Sequence, residues 1–170
     1  MNDIQVYDQF LKEDDLKKLD RVFCQDVATW HYNDMVVSPT EEYTDYNFQF
    51  IHSIYKDCQF VSEHHPLVYP ILANLDAKVL LRIKFNLGIR TPEIIERKMH
   101  QDYYDVIPEN VPYKVAIFYL NTNDGYTLFE SGDKVESVAN RIVMFDGKLK
   151  HCGTTCTNSN TRVVLNINYI

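Results

Sequence analysis

From Leu81 onward the chain reads as a succession of short β runs broken by turn signals, and this pattern restricts the fold more than any other feature. Leu81, Ile83, Phe85 and Leu87 alternate with Arg82, Lys84 and Asn86, the two-residue period of a strand with one buried face, and Gly88 is expected to end it. Residues 113–120 form a nearly continuous apolar run, and Asn123-Asp124-Gly125 is a turn signal. Further strands are expected near residues 126–129, 134–138, 141–145, 151–155 and 162–169, with Asp146-Gly147 as another turn. About eight short strands separated by turns suit a sandwich or barrel. In the last of them Val163, Leu165, Ile167 and Tyr169 share one face, fit for packing against helices. Arg162, Val164, Asn166 and Asn168 share the other. Two Asn buried in a plain core strand would be costly without hydrogen bonds, so this face suits a cavity wall.

Ahead of the strands, Leu11, Leu16, Leu19, Val22, Phe23 and Val27 fall close to a 3.6-residue period and predict a helix over 11–27. Glu13, Asp14 and Asp15 at its start suit the helix dipole. A second helix is expected over 66–80, with Pro66 and Pro70 near its first turn. Residues 28–48 carry Trp30, His31, Tyr32, Tyr43, Tyr46 and Phe48 among polar residues and read as loop; residues 48–60 mix strand and turn. With 103–112, the 28–48 segment either forms a substrate lid or seals the barrel edge. The expectation is one domain over 1–170, helical over about 1–80 and β over about 81–170. The net charge of −7 argues against a generic grip on nucleic acid. No apolar run is long enough to span a bilayer, and Met1-Asn2-Asp3-Ile4 lacks a signal-peptide layout, so a cytoplasmic setting is expected. There Cys24, Cys58, Cys152 and Cys156 would be free thiols.

The chemistry centres on His100-Gln101-Asp102. On an extended strand, residues two apart point to one face, so an imidazole and a carboxylate would stand side by side. That is two thirds of the two-His-one-carboxylate triad that holds non-haem Fe(II) with open positions. His151 is the candidate third ligand, with His64 and His65 next in line. Arg162 follows it on a strand.

The order of His-x-Asp, the Tyr119-Leu120-Asn121 stretch, a distal His and then an Arg resembles the Fe(II)/2-oxoglutarate-dependent oxygenases of the prolyl-hydroxylase type. Stretches 82–87, 121–126 and 135–141 look most like the small versions carried by tailed phages. The resemblance covers about 81–170, and 48–80 more loosely. It implies a double-stranded β-helix, a cupin-like jelly roll. It implies that His100, Asp102 and His151 bind Fe(II), that Arg162 clamps the distal carboxylate of 2-oxoglutarate, and that Tyr119 donates its hydroxyl to the same group. Asn86 would lie near the 1-carboxylate end. Many relatives carry Ser or Thr two residues after this Arg; here Val164 stands there, so either Tyr119 does more or another hydroxyl such as Thr127 or Thr155 substitutes. The implied reaction consumes O2, releases succinate and CO2, and hydroxylates a C–H bond of a peptidyl proline or a small molecule, with ascorbate as a reductant. The rivals are a jelly-roll module that binds without turnover, a dioxygenase acting on a nucleobase, and a cupin-like metalloenzyme without the carboxylate clamp.

Overall fold

The structure, a computed structural model, describes residues 4–25, 27–36, 46–103, 107–108 and 110–170. In chain order these form β1 (Gln5–Tyr7), α1 (Glu13–Phe23), β2 (His31–Asn33), β3 (Gln49–Lys56) and β4 (Gln59–Phe60). A 3-10 turn (His65–Val68) runs into α2 (Tyr69–Leu72), followed by β5 (Leu80–Ile89), β6 (Lys114–Tyr119), β7 (Tyr126–Phe129) and β8 (Lys134–Glu136). The chain ends with β9 (Arg141–Asp146), β10 (His151–Gly153) and β11 (Thr161–Tyr169). An eight-stranded sheet has the order β1-β9-β6-β11-β5-β3-β2, with β4 paired to β3. A three-stranded sheet has the order β10-β7-β8. All named pairings are antiparallel. This is the expected jelly roll.

Two apolar clusters follow from strand parity. Ile83 and Phe85 of β5, Phe118 of β6 and Leu165 and Ile167 of β11 meet Leu19 and Phe23 of α1 and Ile71 of α2 on the outer face of the large sheet. Leu19 and Phe23 lie one helical turn apart, and the Phe23 ring stacks on Phe85 with centroids 3.7 Å apart. Lys12 gives α1 no side-chain cap, so the three acids of its first turn are what offset its unpaired N–H groups. Between the sheets lie Val115, Ile117, Tyr119, Phe129, Val143, Phe145 and Val164. The alternation predicted for the last strand holds: its odd-numbered members pack under the helices and its even-numbered members face inward.

Several expectations are corrected. The region 1–80 is not mainly helical, because β1 to β4 are part of the large sheet. Three-residue strands such as β1 and β2 are too short to show a period. The helix expected to reach residue 80 stops at Leu72. Beyond it the backbone N–H groups of Lys78 and Val79 donate to the Ile170 carbonyl at 2.6 and 2.9 Å, so pairing with the chain's last residue overrides the helical period. β5 runs through Gly88 to Ile89. The four cysteines are free thiols, as expected.

Candidate metal and anion site

A cavity of about 190 Å³ opens between the sheets, and its wall combines β5 and β11 of the large sheet with β7 and β10 of the small one. His100 and His151 stand directly opposite each other at its mouth: each backbone N–H donates to the other's carbonyl at 3.0 Å. This is a hydrogen-bonded antiparallel pair, which puts both side chains on one face. The imidazole centroids are 4.9 Å apart. The stretch 93–102 forms no continuous strand; it meets the neighbouring chain at isolated bridges, Glu96 to Thr154 and His100 to His151, and through the Arg97 N–H, which donates to the Gly153 carbonyl at 3.1 Å. Asp102 lies in a turn, yet its carboxylate still reaches His100, with Nε2 and Oδ1 3.7 Å apart.

One donor atom from each of His100, Asp102 and His151 lies within 4.8 Å of the other two. The rest of the site prepares them. Nδ1 of His100 faces the Lys98 carbonyl and Nδ1 of His151 faces the Leu149 carbonyl, both at 3.1 Å. A carbonyl only accepts, so each Nδ1 carries the proton and each Nε2 keeps its lone pair for a ligand. Burial also holds His151 neutral by lowering its pKa. For Asp102 burial works against the charge, but its neighbours His100 and Arg82 outweigh it, and the carboxyl stays well below its usual range. Oδ2 accepts from the Asn166 and Asn168 amides at 3.0 and 2.8 Å. Oδ1 lies 3.2 Å from the Arg82 guanidinium, which also donates to Asn168 at 3.0 Å and lies 5.0 Å from the centroid of the Tyr103 ring. The two buried Asn are satisfied by this carboxylate. Two imidazoles and an oriented carboxylate are a donor set suited to Fe(II).

At the other end of the cavity Arg162 is buried, and among the described residues no carboxylate lies within ion-pair reach of it. Its Nε donates to Ser137 Oγ at 2.8 Å, and a terminal nitrogen lies 3.4 Å from Thr127 Oγ1. Burial lowers its pKa, since nothing anionic compensates the charge. Gly125 makes room for it: a Cβ there would stand 2.6 Å from the Thr155 carbonyl oxygen and 2.7 Å from Arg162 Cδ. Tyr119 is buried behind this end, its hydroxyl donating to Thr127 Oγ1 at 2.7 Å. Thr127 borders the cavity beside Val164, whereas the Thr155 hydroxyl is taken up with Thr91 and the Ile95 N–H. Asn86 borders the cavity with its side-chain oxygen buried and, among the described residues, without a partner.

His64 and His65 lie away from the triad, His64 against Phe23 and His52, His65 against Phe60 and Tyr69. Of the segments read as lid or edge seal, Trp30 packs against Phe23 and His52 on the core side, while Val36 borders the cavity. Residues 37–45, 104–106 and 109, Tyr104 among them, lie outside the described residues. Arg97 ties the approach to His100 to the start of β3 through the carbonyls of Tyr46 and Phe48, at 2.5 and 3.2 Å. Sequence reasoning missed Arg82, Lys84 and Ser137 at this site. The first two carried a signal, since they share the parity of Asn86.

No family model matches the sequence, and no curated protein matches it. Solved structures do. A viral collagen prolyl hydroxylase from Paramecium bursaria Chlorella virus-1, in its 2OG complex, is 14% identical with a TM-score of 0.62, over 98% of this chain and 96% of that one. A prolyl hydroxylase from Trichoplax adhaerens, in complex with a hypoxia-inducible-factor peptide fragment, is 10% identical with a TM-score of 0.66, over 100% of this chain and 84% of that one. An oxidoreductase of the 2OG-Fe(II) oxygenase family from Burkholderia pseudomallei is 12% identical with a TM-score of 0.64, over 98% and 84%. At such identities the likeness is one of architecture, and it establishes that this chain has the jelly-roll fold of the 2OG-Fe(II) oxygenases.

Proposed function

We propose that the chain is an Fe(II)- and 2-oxoglutarate-dependent dioxygenase that hydroxylates a C–H bond of its substrate and releases succinate and CO2. The observation that carries this reading is one cavity with a two-His-one-Asp cluster at one end and, at the other, a buried Arg162 without a carboxylate partner among the described residues. Bound Fe(II), with 2-oxoglutarate and O2, supplies the oxidising chemistry.

The chain's own residues bind, orient and shelter. His100, Asp102 and His151 hold the metal. Lys98 and Leu149 fix the imidazole tautomers, while Asn166, Asn168 and Arg82 keep Asp102 charged and aimed. Arg162 takes the distal carboxylate of the cosubstrate, whose planar shape its fork matches. Thr127, 3.4 Å from a terminal nitrogen of Arg162, would supply the hydroxyl that Val164 lacks, and Tyr119 would act by orienting Thr127. Asn86 faces the space between the two ends. Because named neighbours are prolyl hydroxylases, a prolyl substrate is the first to try, and the phage-like stretches and a cytoplasmic setting belong to the same proposal.

The test is Fe(II)-dependent conversion of 2-oxoglutarate to succinate by the folded protein, beside equilibrium dialysis of Fe(II) against wild type and His151→Ala. Succinate formation, and loss of metal from the variant, are expected. Metal binding without succinate under any substrate would replace the enzyme by a non-catalytic binding module. Equal metal binding by the two proteins would remove the triad.

A further inference from the structure

Lys84 is a cation in the cavity for which the metal and the clamp have no use. It lies on β5 between Arg82 and Asn86 on the inward face, and it borders the cavity. Across the ladder it faces Asn166, one of the two amides on Asp102, whereas the Arg162 clamp faces Gly88, two inward positions further along. Arg82 is committed to Asp102 and Asn168. The oxygens of Asp102 are in turn occupied by Arg82, Asn166 and Asn168. Among the described residues the Lys84 ammonium therefore finds no hydrogen-bond acceptor or ion-pair partner. Burial and the neighbouring Arg82 both work against its charge, the pull of Asp102 does not offset them, and its pKa falls to about 8.

A half-buried ammonium that borders the cavity without an acceptor is a standing demand for an anion, which one entering the cavity would meet. On the proposed reading the two ends of 2-oxoglutarate are already provided for, by Arg162 and by the metal. A second unfilled demand lies one inward position along β5, roughly 7 Å away: the buried side-chain oxygen of Asn86, which calls for an N–H or O–H donor. A carboxylate with an amine a bond or two away meets both demands. We infer that Lys84 anchors a carboxylate of the primary substrate, and that this substrate is a small free acid of the amino- or imino-acid class rather than a residue inside a peptide chain. The inference rests on the dioxygenase reading for the reaction, but not for the binding of the anion.

The experiment is calorimetry with matched pairs, acetate against acetamide and L-proline against L-prolinamide, with Mn(II) and 2-oxoglutarate present so that the Arg162 end is already occupied. Each acid is expected to bind at least about tenfold more tightly than its amide, the margin of a charge-assisted hydrogen bond. Lys84→Met should erase the margin and Lys84→Arg should keep part of it. A thermal melt guards against misfolding, and the Met variant should melt no lower than wild type, since an uncompensated cation has been removed. Equal binding of acids and amides to wild type overturns the proposal, and so does a margin that survives in Lys84→Met. A Met variant that loses 2-oxoglutarate binding without any probe present assigns the ammonium to the cosubstrate and overturns it as well. These titrations involve no turnover, so a missing succinate signal, which would end the dioxygenase reading, is scored separately.

Discussion

Replacing Arg162 by Leu should leave stability near that of the wild type while sharply weakening cosubstrate affinity. The guanidinium is buried, with one hydrogen bond at 2.8 Å to Ser137 and a long contact at 3.4 Å to Thr127. Exchanging an uncompensated buried charge for an apolar side chain of similar size stabilises by about 1–4 kcal/mol in comparable cases. Against that, Ser137 Oγ loses its partner, at a cost of about 1–3 kcal/mol, while Thr127 keeps Tyr119. The balance lies between about 2 kcal/mol against the variant and about 3 kcal/mol in its favour, and at about 2–4 °C per kcal/mol in a domain of this size the melting temperature should fall by no more than about 8 °C. Cosubstrate binding loses two charge-assisted hydrogen bonds at about 1.5–3 kcal/mol each, so the dissociation constant should rise by about a hundredfold or more. Scanning fluorimetry of the ligand-free protein reads the first quantity and titration of 2-oxoglutarate the second. A melt lowered by many degrees with unchanged cosubstrate affinity would show that Arg162 supports the fold, and the argument from its missing carboxylate would be refuted.

Asp102→Ala should weaken metal binding and also destabilise, by about 2–4 kcal/mol, because it strands Arg82, Asn166 and Asn168; Asp102→Asn should spare much of the stability, and chemical denaturation separates the two. Gly125→Ala should cost about 1–3 kcal/mol and weaken 2-oxoglutarate binding as well, since the added methyl meets a backbone oxygen and the Arg162 stem; a variant with native melting and affinity would contradict the contact. His52 donates from Nδ1 to the Thr29 carbonyl and accepts from Ser62, and burial lowers its pKa. The unfolded chain therefore binds the proton first, so stability should fall as the pH drops through about 6.5, and His52→Gln should flatten that part of a melt-against-pH curve. Phe23→Ala should cost about 3–5 kcal/mol by opening the stack on Phe85, measured by urea unfolding.

What could be read from the sequence depended on whether a residue's role was local. The alternation in β11 is a two-residue pattern, and it put Asn166 and Asn168 on the Arg162 face without any knowledge of the partner strands. His100 and Asp102 were legible as a pair because they are two residues apart. The end of α2 was not, because it is set by hydrogen bonds to Ile170, a residue nearly a hundred positions away. The partners of Asp102 and Arg162 were hidden for the same reason: Arg82, Asn168 and Ser137 become neighbours only after the sheets close. The Tyr119 ring lies 5.7 Å from the Arg162 guanidinium, but its hydroxyl donates to Thr127, a contact across two strands that no local pattern shows. The 28–48 segment lacks a period, and so β2 within it gave no signal.

The placement of the triad has a mechanical consequence. His151 belongs to the small sheet through β10, and His100 is hydrogen-bonded to it, whereas Asp102 is held by side chains of β5 and β11 in the large sheet. An ion shared by the three would rivet one layer of the sandwich to the other at its open rim. Loading would then stiffen the seam between the layers, and in hydrogen exchange the amides of β7, β8 and β10 should slow together when metal is added while those of β5 and β11 hardly change. In this arrangement the ion that equips the cavity for chemistry would also latch its two walls.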